Sequence, residues 1–414
     1  MSSLVPEGWV STTIGEATSE ISDGGTPATS NAEYFNGSIP WVVIDDIQPR
    51  IVHTKSSITE LGLQKSSAKL WDKGTIILST GATIGEVGIA MKAMATKQGI
   101  CGVVVKSDVS AKYFYHLLVS KKRQLNILSQ GSTIKETRPP TVKKIQICLP
   151  PLPEQKKIAS ILTSVDEVIE NTQKQIDKLQ DLKKATMNEL LTKGIGHTEF
   201  KDSELGRIPK SWEVVSLGSF VLDQKSGASL SPSDFCEDGF GVIPKKAVQF
   251  GGRIVLGDKL TFCTNEFANN NRKNIVNNEY VIAVLRDLVP SGPSIGLIGI
   301  LMEDAEFILA QGVYGYLLDS RLNPLFLSLI SNTDRYRGIM RKIFVGSTQI
   351  HIRSTEFLEV VIPIPPVEEQ NDIAERINTM ESQILLKQEI KHKFSSLKNS
   401  LMQDLLTGKV RVNP

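Results

Sequence analysis

Nine lysines and arginines crowd the stretch from Lys106 to Lys144 (Lys106, Lys112, Lys121, Lys122, Arg123, Lys135, Arg138, Lys143, Lys144), against two acids, Asp108 and Glu136. A second stretch holds Arg335, Arg337, Arg341, Lys342 and Arg353 with no acid between Arg335 and Arg353. Cations grouped in this way suit one chemistry, the binding of phosphate oxygens on a nucleic-acid backbone. Base edges are read by Arg, Lys, Asn, Gln, Ser and Thr. Such side chains stand just ahead of Arg138 and Arg353, in Gly131-Ser132-Thr133 and Gly346-Ser347-Thr348. Asn269-Asn270-Asn271-Arg272-Lys273 is a polar run suited to purine edges, and equally suited to an exposed turn. A charge run is ordinarily a solvated helix face, and either stretch alone has that reading. Two loops, Ser22–Pro27 and Ser79–Thr83, have the polarity to touch backbone phosphates and the composition of simple turns.

Other chemistries lack their residues. The Gly-rich loop Ser22-Asp23-Gly24-Gly25-Thr26-Pro27 has no GxxxxGK[ST] spacing, so it is no nucleotide phosphate loop. The four cysteines, Cys101, Cys148, Cys236 and Cys263, form no CxxC pair and have no histidine cluster, which argues against zinc. Asn323-Pro324-Leu325-Phe326 superficially resembles an adenine methyltransferase signature, but no Gly-rich cofactor loop accompanies it. It reads as a helix start with Pro at the first position. No Ser or Cys nucleophile has an evident histidine partner, so no catalytic residue and no bound metal or cofactor is expected. The formal net charge is only +2, so any basic surface is local. The start of the sequence lacks a basic, apolar leader, and the aliphatic run Ile295–Met302 is too short for a membrane span. A cytoplasmic location is expected.

The elements that must position the basic groups are repeated. Pro6-x-x-Trp9 recurs as Pro209-x-x-Trp212 and Gly15 as Gly218, both at an offset of 203. Ile84-Gly85 recurs as Ile295-Gly296 at 211, and Gln98-Gly99 as Gln311-Gly312 at 213. Gly131-Ser132-Thr133, Arg138, Pro150-Pro151, Gln155 and Leu190-Leu191-Thr192 all recur at 215. The chain is an internal duplication, and the two basic stretches coincide through it. That coincidence favours a shared binding role over two accidental solvated faces. The second globular half has gained 12 residues (215 minus 203), whereas the helical part has gained none. Surface loops tolerate insertions and a helix with a fixed register does not.

Residues 154–192 and 369–407 contain no Gly or Pro and carry apolar stripes at a 3–4 spacing. Each predicts a helix of 39 residues, about 58 Å at 1.5 Å per residue. A long helix with a narrow stripe wants a partner, and the other copy is the nearest candidate. The globular halves read as short strands between Gly and Pro, each with one short helix, over Ala111–Ile127 and Pro324–Met340. The fold class expected is α+β: two mostly-β domains and two long helices that pair with each other.

The helix entries Leu149-Pro-Pro-Leu-Pro-Glu-Gln155 and Ile364-Pro-Pro-Val-Glu-Glu-Gln370 resemble those of specificity subunits of type I restriction–modification enzymes. So do the junction HTEFKDSELGRIPKSW from His197 to Trp212 and the close Leu405-Leu-Thr-Gly-Lys-Val-Arg-Val412. The resemblance spans essentially the whole chain. It implies target recognition domains over 1–150 and 197–363 and spacer helices over 151–196 and 364–414, the helices pairing as an antiparallel coiled coil with a pseudo-twofold axis between the two halves. It implies that each domain reads one half of a bipartite double-stranded DNA site, while the helices set the spacer and dock two modification subunits, joined by restriction subunits. Methylation and cleavage then belong to those partners, which use S-adenosylmethionine, ATP and Mg2+. The family's recognition domains vary, so base-reading residues do not carry over. The candidates rest on charge, polarity and repeat position: Lys121, Lys122, Arg123, Ser132, Thr133, Lys135, Arg138, Arg272, Lys273, Arg335, Arg337, Arg341, Lys342, Thr348 and Arg353. Two other readings are an enzyme with its own active site, opposed by the missing motifs, and a coiled-coil scaffold with β domains that bind carbohydrate or protein rather than DNA.

Overall fold

A computed structural model describes residues 5–129, 136–257, 260–288 and 291–413. The chain forms two compact units, Met1–Gln175 with Lys387–Pro414, and Ile176–Leu386. Each long helix therefore contributes to both.

In the first unit a five-stranded sheet runs in the order Thr18–Asp23, Ile100–Val105, Ile76–Ser79, Val87–Ala90, Arg50–Ile51. A four-stranded sheet runs Ser56–Ile58, Phe35–Val42, Met94–Thr96, Leu70–Trp71. The central strand Ile76–Ser79 is buried on both faces, so it reads as a continuous apolar run rather than an alternation. Ile76 and Leu78 point to a core shared with Tyr113, Phe114 and Leu118, and Ile77 points to one shared with Trp71 and Met94. The second unit repeats the plan. Tyr280–Val284 is the fully buried strand of a four-stranded sheet, with Val281 and Ala283 in one core and Ile282 and Val284 in the other.

The single short helix expected in each half is two helices. Ala111–Ser120 is followed by Lys122–Ile127, with Lys121 at the break. Pro324–Ile330 is followed by Asp334–Ile343, because Thr333 turns its hydroxyl to accept from the Tyr336 N–H and starts a new helix. Asn323 caps the first of these in the same way, accepting from Phe326 N at 3.0 Å with Pro324 behind it. The run Ile295–Met302 is a strand only over Ile298–Ile300, since Gly296 takes a left-handed turn at φ +73.

The long helices span Leu152–Lys193 and Val367–Leu405, 42 and 39 residues. In the first unit Ile158, Ala159 and Leu162 share a core with Met402, Leu405 and Leu406. Asp166 pairs with Lys398 at 2.5 Å, and Lys391 Nζ donates to Gln173 at 2.5 Å. In the second unit Leu191 packs with Ile373, Ala374 and Ile377, and Lys183 pairs with Glu381. Within each unit, advance along one helix meets retreat along the other, so the packing is antiparallel.

The proline–glutamine signature acquires a physical reason at the helix starts. Gln155 Oε1 accepts from Ser110 N at 2.8 Å and its Nε2 donates to Pro150 O at 2.9 Å. Gln370 Oε1 accepts from Asn323 N at 2.8 Å, and its Nε2 donates to Pro365 O at 2.9 Å and Arg321 O at 3.0 Å. Each buried amide thus ties a long helix to the cap of the first short helix in its own unit. The preceding glutamate does a second job. Glu154 accepts from Trp9 Nε1 at 3.3 Å and from Arg411 at 2.8 and 2.9 Å. Glu369 accepts from Trp212 Nε1 at 3.0 Å, His197 Nε2 at 2.9 Å and Ile195 N at 2.8 Å. The segment leaving one long helix is in this way pinned to the start of the other, twice. Gly194, at φ +67, leaves no room for a Cβ, which would strike the Glu369 carboxylate.

Candidate nucleic-acid interface

The hydrogen bonds of the two units define one recurring backbone arrangement, which borders a recess in the first unit. In the first unit Thr80 N donates to Gly99 O at 2.8 Å, Thr137 N donates to Thr80 O at 2.7 Å, and Gly81 is bridged to Glu136. In the second, Leu285 N donates to Gly312 O at 3.0 Å, Ile352 N donates to Leu285 O at 2.9 Å, and Arg286 pairs with His351. The repeat therefore equates Gly81 with Arg286, Gln98-Gly99 with Gln311-Gly312, and Glu136 with His351. Gly99 and Gly312 are both left-handed, at φ +84 and +87, a conformation open to glycine at little cost.

The side chains over this shared backbone differ. The recess encloses about 390 Å³ between Thr26, Val43, Ile44, Gly81, Ala82, Lys97, Gln98 and Glu136. Asp23 lies close by, accepting from Gly24 N at 3.0 Å and Gly99 N at 2.9 Å, and burial pushes its carboxyl above the usual range. In the second unit Arg286 stands where Gly81 stands, and Lys245 begins the short turn Lys245–Ala247, the counterpart of Ile44–Asp46. Burial, then the neighbouring Arg286, lowers the Lys245 ammonium below its usual range.

The residues singled out by charge fall in several places. Arg138 and Arg353 occupy equivalent positions, each capping a five-residue helix, Pro139–Lys143 and Ser354–Leu358. Both are exposed, and each makes a 3.6 Å ion pair, with Glu136 and Glu356 respectively. Exposed pairs of this length contribute little stability, so both guanidiniums are free to change partner. Thr348 is exposed in the loop leading to Arg353, as are Arg341 and Lys342 at the end of the helix before it. Arg272 and Lys273 form an exposed turn in which Arg272 holds Asn269 at 3.1 Å. Lys121, Lys122 and Arg123 line a groove of about 710 Å³ with Lys398, Met402 and Gln403 of the second long helix. Arg335 lines a small cavity beside Leu191 and Thr192. These four are therefore placed beside the long helices rather than in the recess. Arg337 is turned inward and donates to the carbonyls of Gly292, Pro293 and Ile295. Ser132, Thr133 and Lys135 lie outside the described residues.

Lys245 and Arg286 were not among the candidates. Neither belongs to a dense basic run, and only the hydrogen-bond pattern around the repeated Gln-Gly turn brings them together.

A model of the type I restriction modification DNA specificity domain matches residues 6–181 and again 209–394. The chain belongs to that family. It is 30% identical to the type I restriction enzyme MjaVIII specificity subunit of Methanocaldococcus jannaschii, over 99% of this chain and 94% of that protein. It is 32% identical to the putative MjaX specificity subunit of the same organism, over 74% of this chain and 70% of the relative. The crystal structure of the S subunit of a type I system from M. genitalium shares the fold with a TM-score of 0.60, 16% identity and 96% of each chain covered. A chain from a study of type I complex assembly and conformational transition superposes with a TM-score of 0.54, at 18% identity and 98% and 99% coverage.

Specificity subunits are the non-catalytic, DNA-recognising members of restriction–modification complexes, and that is the role of this chain. The DNA specificity domain recurs in both halves, so the scaffold reading, with β domains that do not bind DNA, is set aside. DNA and the other subunits of such a system are its partners. Among the described residues no helix is long and apolar enough to cross a membrane.

Proposed function

We propose that the domains over 1–150 and 197–363 of this specificity subunit each read one half of a bipartite double-stranded DNA site, the two halves differing in sequence. The carrying observation is the shared frame: one backbone arrangement occurs twice, flanked once by Gly81, Gln98, Glu136 and the single cation Lys97, and once by the two cations Lys245 and Arg286. A shared frame gives both domains the same approach to a duplex, and unlike linings give them different bases to favour. The spacer segments 151–196 and 364–414 dock two modification subunits, and restriction subunits join that core. Those partners use S-adenosylmethionine, ATP and Mg2+, and this chain binds none of the three. The cell's cytoplasm is where such a complex meets DNA.

Beside the shared frame in each domain, Arg138 and Arg353 serve as equivalent phosphate contacts. Arg272, Lys273, Arg341, Lys342 and Thr348 extend the surface in the second domain, and Lys121, Lys122, Arg123 and Arg335 extend it from the groove rims. Arg337 supports the surface through the loop it holds. Arg138→Ala and Arg353→Ala, each in the complex with modification subunits, are expected to weaken binding several-fold for all sequences. Each is also expected to reduce the slope of log affinity against log salt by about 1. Titrations of cognate and scrambled duplexes across salt concentrations check this. Unchanged affinity and slope in both variants would remove the phosphate-contact assignment.

A further inference from the structure

Arg286 and Lys245 converge on Gly312. A Cβ at Gly312 would come within 2.7 Å of Arg286 Cβ and 3.4 Å of Lys245 Cδ, so both side chains run across the bare glycine. Arg286 Nη2 donates to Gln349 Oε1 at 2.7 Å, and Gln349 ends the exposed loop that begins at Gly346. Asp287, next in sequence, accepts from Leu288 N at 2.7 Å and from Ser294 N and Oγ at 3.1 and 2.6 Å, and its charge offsets part of the Arg286 repulsion at Lys245. Among the described residues no ion pair at salt-bridge distance involves Arg286 or Lys245. Two cations side by side and partly out of water repel one another. A ligand that presents hydrogen-bond acceptors relieves that repulsion.

Duplex DNA offers such acceptors at phosphates and at the O6/N7 edge of guanine. Gln349 orients the guanidinium, and its planar fork suits two coplanar acceptors, on a phosphate or on guanine. The repeat favours guanine. A shared frame places equivalent phosphate contacts in both domains, as at Arg138 and Arg353, whereas a base reader differs between them. The counterpart of Arg286 is Gly81. We propose that Arg286, aimed by Gln349 and backed by Lys245, reads a guanine in the half-site of the second domain, through paired hydrogen bonds to O6 and N7 in the major groove.

This inference rests on the two-domain reading above, but the two fail separately: that reading stands or falls with exchange of a whole domain, this one with a single base position. The test uses the full chain in complex with its modification subunits and a duplex library randomised over both half-sites, scored by sequencing the bound fraction. Arg286→Ala is expected to lose about 10- to 100-fold of discrimination at one G·C position of one half-site, leaving the other half-site intact. Arg286→Lys keeps the charge but loses the fork, and is expected to relax the same position. Wild-type discrimination in Arg286→Lys, combined with a sequence-independent loss in Arg286→Ala, would mean a phosphate contact and overturn the proposal. Wild-type behaviour in both variants would overturn it too. Should either variant lose both half-sites through misfolding, Gln349→Ala decides. Its side chain is exposed, and it should loosen that one position. A wild-type readout there would count against the proposal.

Discussion

Glu369→Ala is expected to destabilise the second unit by about 3 kcal/mol. The carboxylate accepts from the Trp212 indole, the His197 ring and the Ile195 backbone N–H, and all three lose their acceptor together. A hydrogen bond to a neutral acceptor contributes about 1 kcal/mol net, and one to a charged acceptor contributes more. The helix start at Val367 also loses a negative charge in its first turn, where the helix dipole favours one. For a unit of this size the loss corresponds to a fall in melting temperature of roughly 6–12 °C. Glu369→Gln retains an acceptor and is expected to lose less. Calorimetry that resolves the transitions of the two units checks the prediction, since Glu369 sits wholly within the second. In the first unit Glu154 plays the same part, and its hydrogen bonds from Arg411 hold its carboxyl below the usual glutamate range. A depressed carboxyl contributes stability that is present above the ordinary glutamate pKa and is lost as the pH falls through the folded value. The Glu154 contribution therefore weakens only in acid.

The second large effect is expected at Arg337. Its side chain is buried, and its guanidinium donates to three carbonyls of the loop 292–295. Arg337→Ala leaves those carbonyls without their donor and opens a void under the loop, at a cost of about 3–4 kcal/mol. In the first unit Asn126 Nδ2 holds the carbonyl of Ile84, the repeat partner of Ile295, at 3.1 Å. Two unlike donors thus hold the two copies of one repeated turn in place. Well below its melting point, Arg337→Ala is expected to bind DNA more weakly through a loosened turn, but with an unchanged salt slope. A slope reduced by about 1 would make Arg337 a phosphate contact and contradict the clamp.

The duplication and the long helices were legible in the sequence, because each leaves a periodic trace, whereas the antiparallel direction of the pairing followed from the family resemblance. The offset of the repeats held at 215 through both helices, where an insertion would break packing such as Asp166 against Lys398 and Lys183 against Glu381. The short helices were read as continuous because their apolar spacing runs on through Lys121 and Asn332. Capping by Thr333 depends on one hydroxyl and leaves that spacing untouched. Charge density singled out Arg138, Arg353 and Arg337 alike and could not tell the two exposed cations from the buried one. The shared frame was hidden for another reason. Arg286 and Lys245 are 41 positions apart in sequence (286 minus 245), and only the strand pairing at Gly312 joins them. The repeated Gln98-Gly99 and Gln311-Gly312 turn was the one available signal.

The most direct measurement replaces residues 1–150 with the matching domain of another type I specificity subunit, in cells that carry the partner subunits, and maps methylated sites across the genome. The account predicts a methylated motif in which one half-site is new, while the other half-site and the spacer are retained. A motif in which both half-sites change, or neither does, would contradict the assignment of one half-site to each domain.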